Sequence, residues 1–358
     1  MNAPTRLPTP TVSLVRLSDP NEAARIESFV REQGGSVFQR PLWLRAIERG
    51  TGQEAIGLAL ERAGRLSAWL PLTLVHSPLF GRALVSSGFG VGGGVLAERR
   101  QDAEVLCRAA EELALRNNAR SIELRGGEAP EDWQTTSTSH CNFIGDLADN
   151  DEAQLLAIPR KARAEVRKGL NADFSIAIGS GEDDRAAHYA VYAESVHNLG
   201  TPVFPRSLFD AVLDSFGADA DILTVRHEGT PVASVLSLYH DDGNGRAVMP
   251  YWGGGTFAAR GLRANERMYY ELMLHARERG CTRFDFGRSK TGSGPYHFKK
   301  NWGFEPEPLT YSSWSATGVA ARNIDPTDAS YARKIELWKR LPLSVAKMIG
   351  PYIARGLG

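Results

Sequence analysis

A chain of 358 residues is too long for one ordinary domain and suits two of about 150 residues each. Hydrophobic residues make up 42% and charged residues 23%, the composition of a globular protein with real cores. The 42 basic and 42 acidic residues cancel, so any site for a polyanion has to come from local clustering. Three cysteines without C-x-x-C spacing exclude a disulfide framework and the usual zinc patterns, and fit a reducing cytoplasm; no metal is expected. Residues 1–10 carry three prolines and no apolar core, so they do not read as a signal peptide. No apolar run approaches the roughly 18 residues of a membrane-spanning helix.

In chain order, residues 12–17 read as a strand, and Asp19-Pro20-Asn21 caps a helix reaching Glu32. A short helix follows Pro41, with Leu42, Trp43, Ala46 and Ile47 on one side. Strands at 55–61 and 66–75 form a hairpin through Ala63-Gly64-Arg65. A third strand at 82–87 leads into a glycine-rich stretch, then a helix over 101–117 and a strand at 121–124. The second half repeats this order. A strand at 174–178 precedes helices over 186–198 and 206–216. A hairpin pairs 222–227 with 231–239 through Glu228-Gly229-Thr230, and a strand at 246–251 runs into Gly253-Gly254-Gly255. A helix over 265–278 and a strand at 283–286 close the unit. Ile122-Glu123-Leu124 and Phe284-Asp285-Phe286 occupy equivalent slots. The order strand, helix, helix, three antiparallel strands, helix, strand is that of the GNAT acyltransferase fold. The expected architecture is therefore a mixed α/β chain of two tandem GNAT-like domains, at 11–150 and 151–316.

Three stretches go beyond this pattern: 86–96, with Gly88, Gly90 and Gly92 to Gly94; Tyr251-Trp252-Gly253-Gly254 with Phe284-Asp285-Phe286-Gly287-Arg288-Ser289; and Gly294 to Phe304, ending Phe298-Lys299-Lys300-Asn301-Trp302-Gly303-Phe304. Together they resemble the FemAB/FemX family of non-ribosomal peptidyl transferases. The resemblance extends to its branch associated with exosortase and PEP-CTERM systems, which carries a BioF2-like acyltransferase domain. It covers residues 12 to 316. Family members transfer an amino acid from aminoacyl-tRNA to an amine on a peptidoglycan precursor, and this branch is associated with exopolysaccharide production. The resemblance also implies that residues 317–358 pack back on the first domain.

By that resemblance, Phe298 and Lys299 would meet the acceptor end of tRNA and serve catalysis. An aromatic ring can stack the terminal base, for about 1–3 kcal/mol, and a fixed cation can stabilise charge growing on the reacting ester. The alternative is a short surface helix with an ordinary basic residue, and Lys300 stands next in register. The densest basic cluster is 160–168. As a helix it sets Arg160, Arg163 and Arg167 on one face, with Arg163 and Arg167 suited to phosphates of a nucleotide-linked substrate or of tRNA. A solvated charged face explains it equally well. Arg288 follows a strand in a glycine-studded loop and suits bidentate contact with phosphate or carboxylate. Asp285 reads as an acid that pins this loop rather than as a general base. Tyr251 and Trp252 are candidates to line the substrate cleft, with aromatic packing as their other role. His197, His240 and His297 are isolated, and no cysteine has a nucleophile's setting. Attack by a neutral amine on an activated ester needs mainly alignment and stabilisation of the oxyanion.

Two other readings compete. An acyl-CoA-dependent N-acyltransferase would need backbone N–H groups at a helix start to hold pyrophosphate; here Arg260-Gly261-Leu262-Arg263-Ala264-Asn265 lacks the second glycine of that turn. A non-catalytic scaffold of an envelope-polymer assembly is the third. No cofactor is expected beyond the acyl donor, and no DNA partner. From 331 to 358 six basic residues face one acid, a formal charge of +5, interleaved with apolar residues and broken by Pro342 and Pro351. This segment is expected to dock on the first domain, with contact to the inner membrane surface as the alternative for a cytoplasmic protein.

Overall fold

The structure is a computed structural model that describes residues 9–77, 81–241, 243–318 and 335–358. Of the cationic tail, Tyr331, Arg333 and Lys334 lie outside the described residues. The first half contains β1 (Thr11–Val15), α1 (Pro20–Glu32), α2 (Pro41–Thr51), β2 (Glu54–Arg62), β3 (Arg65–Ser77), β4 (Gly81–Ser86), β5 (Leu96–Ala97), α3 (Arg100–Arg116) and β6 (Ser121–Arg125). A connecting region follows, with β7 (Gln134–Asp146), α4 (Asp151–Ala157) and α5 (Arg160–Leu170). The second half contains β8 (Phe174–Gly179), α6 (Glu182–Leu199), α7 (Arg206–Phe216), β9 (Ala220–His227), β10 (Thr230–Asp241), β11 (Arg246–Gly255), α8 (Phe257–Leu262), α9 (Ala264–Glu278) and β12 (Arg283–Asp285). It ends with β13 (Ser289–Lys290), α10 (Gly294–Asn301) and β14 (Pro306–Ser315), and the tail carries α11 (Leu343–Ala354).

Local chemistry sets these boundaries. The Asp19 carboxylate accepts from the Asn21 N–H at 2.9 Å, with Pro20 in the first turn of α1. The β2–β3 turn places Ala63 and Gly64 at φ 51° and 73°; the β9–β10 turn places Glu228 and Gly229 at 50° and 76°. Two successive positive φ values give the turn whose twist matches paired strands. Its recurrence at equivalent places is backbone evidence for the internal repeat.

The strands form one path, β1-β2-β3-β4-β6-β14-β7-β12-β11-β10-β9-β8. Each half supplies five strands in corresponding order, and each contains one parallel pair. β4 meets β6 at Leu84↔Ile122 and Val85↔Glu123, and β11 meets β12 at Ala247↔Arg283 and Val248↔Phe284. The halves join by crossing strands. β7 follows the first half in sequence yet pairs with β12 of the second, while β14 follows the second half and pairs with β6 of the first. β7 and β14 then pair with each other, from Phe143↔Pro306 to Gln134↔Ser313. Neither strand appears among the elements read from the sequence.

Helices cover both faces. α3 packs on the first half around Leu106, Cys107 and Ala110, and α5 and α9 pack on the second around Val166, Met268 and Leu272. A third core spans the halves. Phe38, Trp43 and Ile47 of the first interlock with Phe209, Val212 and Trp252 of the second. Here α2 and α7 approach closely at Gly50, where a Cβ would lie 2.6 Å from the Leu208 Cα. The tail touches both halves: His197 Nε2 lies 3.2 Å from the Trp338 carbonyl, while Gln53 donates to the Arg355 carbonyl at 2.8 Å.

Gly50→Ala should therefore lower the urea midpoint, costing about 1–3 kcal/mol, because backbone rather than a flexible side chain blocks the methyl. Gly261→Ala is the control. That glycine sits in α8 with nothing within 4 Å of its added Cβ, so the midpoint should hold or rise.

Candidate functional site

The wedge where β11 leaves β12 is the centre of the site. Their parallel register ends at Val248↔Phe284, while β11 continues beside β10 as far as Gly255↔Ala233. A register shift between Leu236 and Ser237 of β10 accompanies the bend. Beyond that point the chain carrying Asp285, Gly287 and Arg288 has parted from β11 on one edge, while on the other Asp285 still pairs with Ile144 of β7 and the Phe286 N–H donates to the Phe143 carbonyl at 2.7 Å.

α10 supports this loop from beneath. Ser293 caps it, its Oγ accepting from the Tyr296 N–H at 3.3 Å, with Pro295 in the first turn. That start directs Lys299 inward, where it is 8% exposed. Its Nζ donates to the carbonyls of Gly287 at 2.8 Å and Arg288 at 3.0 Å. The rings of Phe143 and Phe286 flank the ammonium at 5.5 and 5.6 Å. Burial pushes the Lys299 pKa down to about 7, with Asp285 opposing the shift and Arg288 adding to it. Asp285 is 7% exposed and accepts the Gly287 N–H at 2.9 Å, which pins the loop from its other side. Burial pushes its carboxyl up, against the Gly287 N–H, His240, the Asn142 side chain and Lys299.

The opposite wall comes from the first half. Tyr251 donates to the Phe89 carbonyl at 2.5 Å, and Trp43 donates to the Gly88 carbonyl at 3.1 Å. The glycine-rich stretch is thus a fixed loop against the wedge, with Ser87 and Phe89 at φ 50° and 61°. Arg125, only 5% exposed, pairs with Glu123 at 2.8 Å and donates to the carbonyls of Gly90 at 2.6 Å and Gly358 at 2.5 Å. Arg288 donates to Tyr311 Oη at 2.9 Å, and that hydroxyl donates to the Val91 carbonyl at 2.9 Å. Burial raises the Tyr251 pKa, opposed by the charges of Arg288 and Arg125, so the phenol remains a neutral donor.

Lys299, Arg288 and Tyr251 are therefore neighbours in one region. Phe298 belongs to the other side of α10, half-buried among Tyr269, Phe286 and Trp302 at centroid distances of 5.7, 6.0 and 5.7 Å. Trp252 is 7% exposed and lies in the core between the halves, 6.0 Å from Trp43 and 5.0 Å from Phe209. α5 buries Ala162, Val166 and Gly169 and turns its charges outward. Arg167 is exposed, and Arg163 donates to the Leu156 carbonyl at 3.1 Å. Arg125, Tyr311 and Asn142 have no counterpart in the sequence reading. Tyr311 and Asn142 lie on β14 and β7, so only the strand exchange brings them here; Arg125 ends β6 and is held by Glu123 and the Gly90 carbonyl of its own half.

A sequence profile described as an acetyltransferase (GNAT) domain matches residues 159–300. No curated protein matches by sequence. Among solved structures, FemX superposes with a TM-score of 0.61 at 16% identity, covering 81% of this chain and 95% of its own. A tandem GNAT protein from the clavulanic acid biosynthesis pathway gives 0.58 at 12% identity, covering 87% and 100%. The C-terminal domain of a putative lysylphosphatidylglycerol synthetase from Agrobacterium fabrum gives 0.54 at 14%, covering 81% and 91%. The fold is that of two tandem GNAT-like domains in one chain.

The Lys299 environment makes a signed prediction about pH. Below about 7 both folded and unfolded chains carry its proton; between about 7 and the ordinary 10.5 only the unfolded chain does. Stability contributed at this position should rise with pH across that window. Urea unfolding of the parent and of Lys299→Met at intervals from pH 7 to pH 10 should show the parent gaining on the variant; parallel curves would refute the assigned environment.

Proposed function

We propose that the chain is an acyltransferase that moves an aminoacyl or acyl group onto an amine of a cell-envelope or exopolysaccharide precursor, with aminoacyl-tRNA as donor. The observation that carries this reading is the polar lining of the wedge between two splayed parallel strands. Lys299 lies beneath the loop, Asp285 pins it from the other side, Arg288 lies on it, and Tyr251 lies on the facing strand. The GNAT-domain match over 159–300 and the FemX-like fold support it, as does the Phe298-to-Phe304 stretch on which the likeness to the exosortase-associated branch rests.

In this reading the amine nitrogen attacks the ester carbonyl of the donor. The new C–N bond forms, the ester C–O bond breaks, and the proton shed by nitrogen leaves with the released hydroxyl. The chain aligns the partners and stabilises the carbonyl oxygen as charge grows there. Lys299 acts by holding the carbonyls of Gly287 and Arg288, which fixes Arg288. Arg288 binds an anionic group of donor or acceptor, and its Tyr311 contact sets its direction.

The packing of α5 favours a tRNA-borne donor over coenzyme A. α5 crosses the first turn of α9, where a Cβ on Gly169 would lie 2.9 Å from the Arg263 carbonyl. Arg263, itself in the left-handed conformation at φ 64°, is ion-paired with Glu165 of α5. The helix start that would otherwise offer N–H groups to pyrophosphate thus carries a neighbour. An acyl-CoA donor remains the second reading, favoured by the acetyltransferase profile itself.

Isothermal titration with acetyl-coenzyme A should show no affinity in the low micromolar range; a clear low-micromolar affinity would hand the ranking to the second reading. The acceptor is found by mass spectrometry of envelope precursors from cells with and without the protein, where an aminoacyl mass should disappear. Arg288→Ala should reduce transfer by roughly 10²-fold, the scale at which a misplaced reactant lowers the rate.

A further inference from the structure

The C-terminal helix α11 is built inside out for a helix on an aqueous surface. It buries its small residues, Ala346, Gly350 and Ala354, spaced four apart along one face. That face lies along α6 and the segment after it: a Cβ on Gly350 would meet the Val203 N at 2.9 Å, and Lys347 stands 5.6 Å over the Tyr189 ring. The large side chains point the other way. Met348 is 65% exposed and Tyr352 68%, one turn apart, with Val345, Ile349 and Ile353 half-exposed on the flanks. Leu337 adds a residue at 65% and Leu199, beside the Gly200 that Ile335 and Lys339 contact, one at 61%. Exposed apolar patches of this kind mark an interaction surface.

Charge selects among occupants. Lys339, Arg340, Lys347 and Arg355 share the segment with these apolar residues, and across 335–358 the only acid is Glu336, already paired with Lys339 at 3.3 Å. Arg340, Lys347 and Arg355 make no ion pair with a described residue. The Arg355 guanidinium lies 4.9 Å over the Tyr352 ring, which sets a cation directly beside one of the two large exposed side chains of the helix. The chain as a whole balances its charges, so this segment is a local asymmetry, and a protein partner would have to be both apolar and acidic to match it. Twelve residues of helix interrupted by Pro351 are too short to span a bilayer, and no helix among the described residues is long and apolar enough to do so. A short apolar face with a tyrosine, in a cationic segment, is the chemistry of a helix lying in the headgroup layer.

We propose that the outward face of α11, with Leu337 and Leu199, rests on an anionic lipid surface. The inference is independent of the transferase reading, since no wedge residue takes part. The test is sedimentation of the full chain with vesicles of phosphatidylglycerol and phosphatidylcholine in equal parts. Pelleting at low salt and release at high salt are expected. Met348→Ser/Tyr352→Ser should lower the partition coefficient by roughly tenfold or more, through lost burial of two apolar side chains. Both positions are exposed, so an unchanged melting temperature verifies the variant's fold, and Lys347→Gln/Arg355→Gln provides a second variant that should weaken binding through charge alone. Failure to pellet, equal pelleting on pure phosphatidylcholine, or variants that pellet like the parent would each overturn the proposal. So would a lipid-free dimer that the Met348 and Tyr352 substitutions dissociate, which would assign the face to a second copy of the chain.

Discussion

The β7–β14 ladder is the constraint on which everything else rests. A parallel pair held by only two residue partners, as at Ala247↔Arg283 and Val248↔Phe284, leaves β12 in need of a neighbour on its other edge. β7 fills that edge through Ile144↔Asp285 and Gly145↔Phe284, and β14 does the same for β6 through Trp314↔Ile122. Each half therefore closes its sheet with a strand encoded after the other half begins or ends. A wedge can remain open above β12 because its lower part is anchored from both sides. The same exchange carries Tyr311 and Asn142 across to the site, so the wedge is a property of the pair rather than of either half.

Within that frame the electrostatics are unusually concentrated for a chain with no net charge. Lys299 and Arg288 sit close to the buried carboxyl of Asp285, and Arg125 lies on the other side of Tyr251 with Glu123 held on it. Backbone carbonyls supply most of the remaining balance. Those of Gly90, Gly287, Arg288 and Gly358 each accept a hydrogen bond from Arg125 or Lys299. Carbonyl dipoles stabilise a cation without cancelling it. The guanidinium of Arg288 differs from that of Arg125, since its side-chain hydrogen bond runs to the neutral Tyr311 hydroxyl rather than to a carboxylate. Lysine suits the floor because its pKa moves with burial, whereas the guanidinium of Arg288 keeps its charge at the rim.

Much of this was legible in the residues. The paired turns Ala63-Gly64 and Glu228-Gly229, and the matched Ile122-Glu123-Leu124 and Phe284-Asp285-Phe286, announce a repeated α/β unit, because turn chemistry and apolar alternation are local signals. β7 was invisible for an equally physical reason. Its sequence runs Gln134-Thr135-Thr136-Ser137-Thr138-Ser139 before any apolar residue, and that stretch is largely exposed, so no period-two pattern forms. β14 begins Pro306-Glu307-Pro308, which reads as a loop. The role of Tyr311 depends on β14 and could not be seen without it, while Arg125 stands one residue past the strand read at 121–124 and takes the Gly90 and Gly358 carbonyls from distant parts of the sequence. Lys299 stood out only by its motif. Its neighbour Phe298 shares that motif but faces Tyr269 and Trp302, because adjacent residues on a helix point about 100° apart.

The most direct test of the central claim is a transfer assay with the purified chain. tRNA charged with radiolabelled amino acids is incubated with the protein and a fraction of envelope precursors. The account predicts label moving from tRNA into an amide on a precursor, and loss of that movement in Lys299→Met. Hydrolysis-free retention of all label on tRNA, together with acyl transfer from coenzyme A to the same precursors, would contradict it.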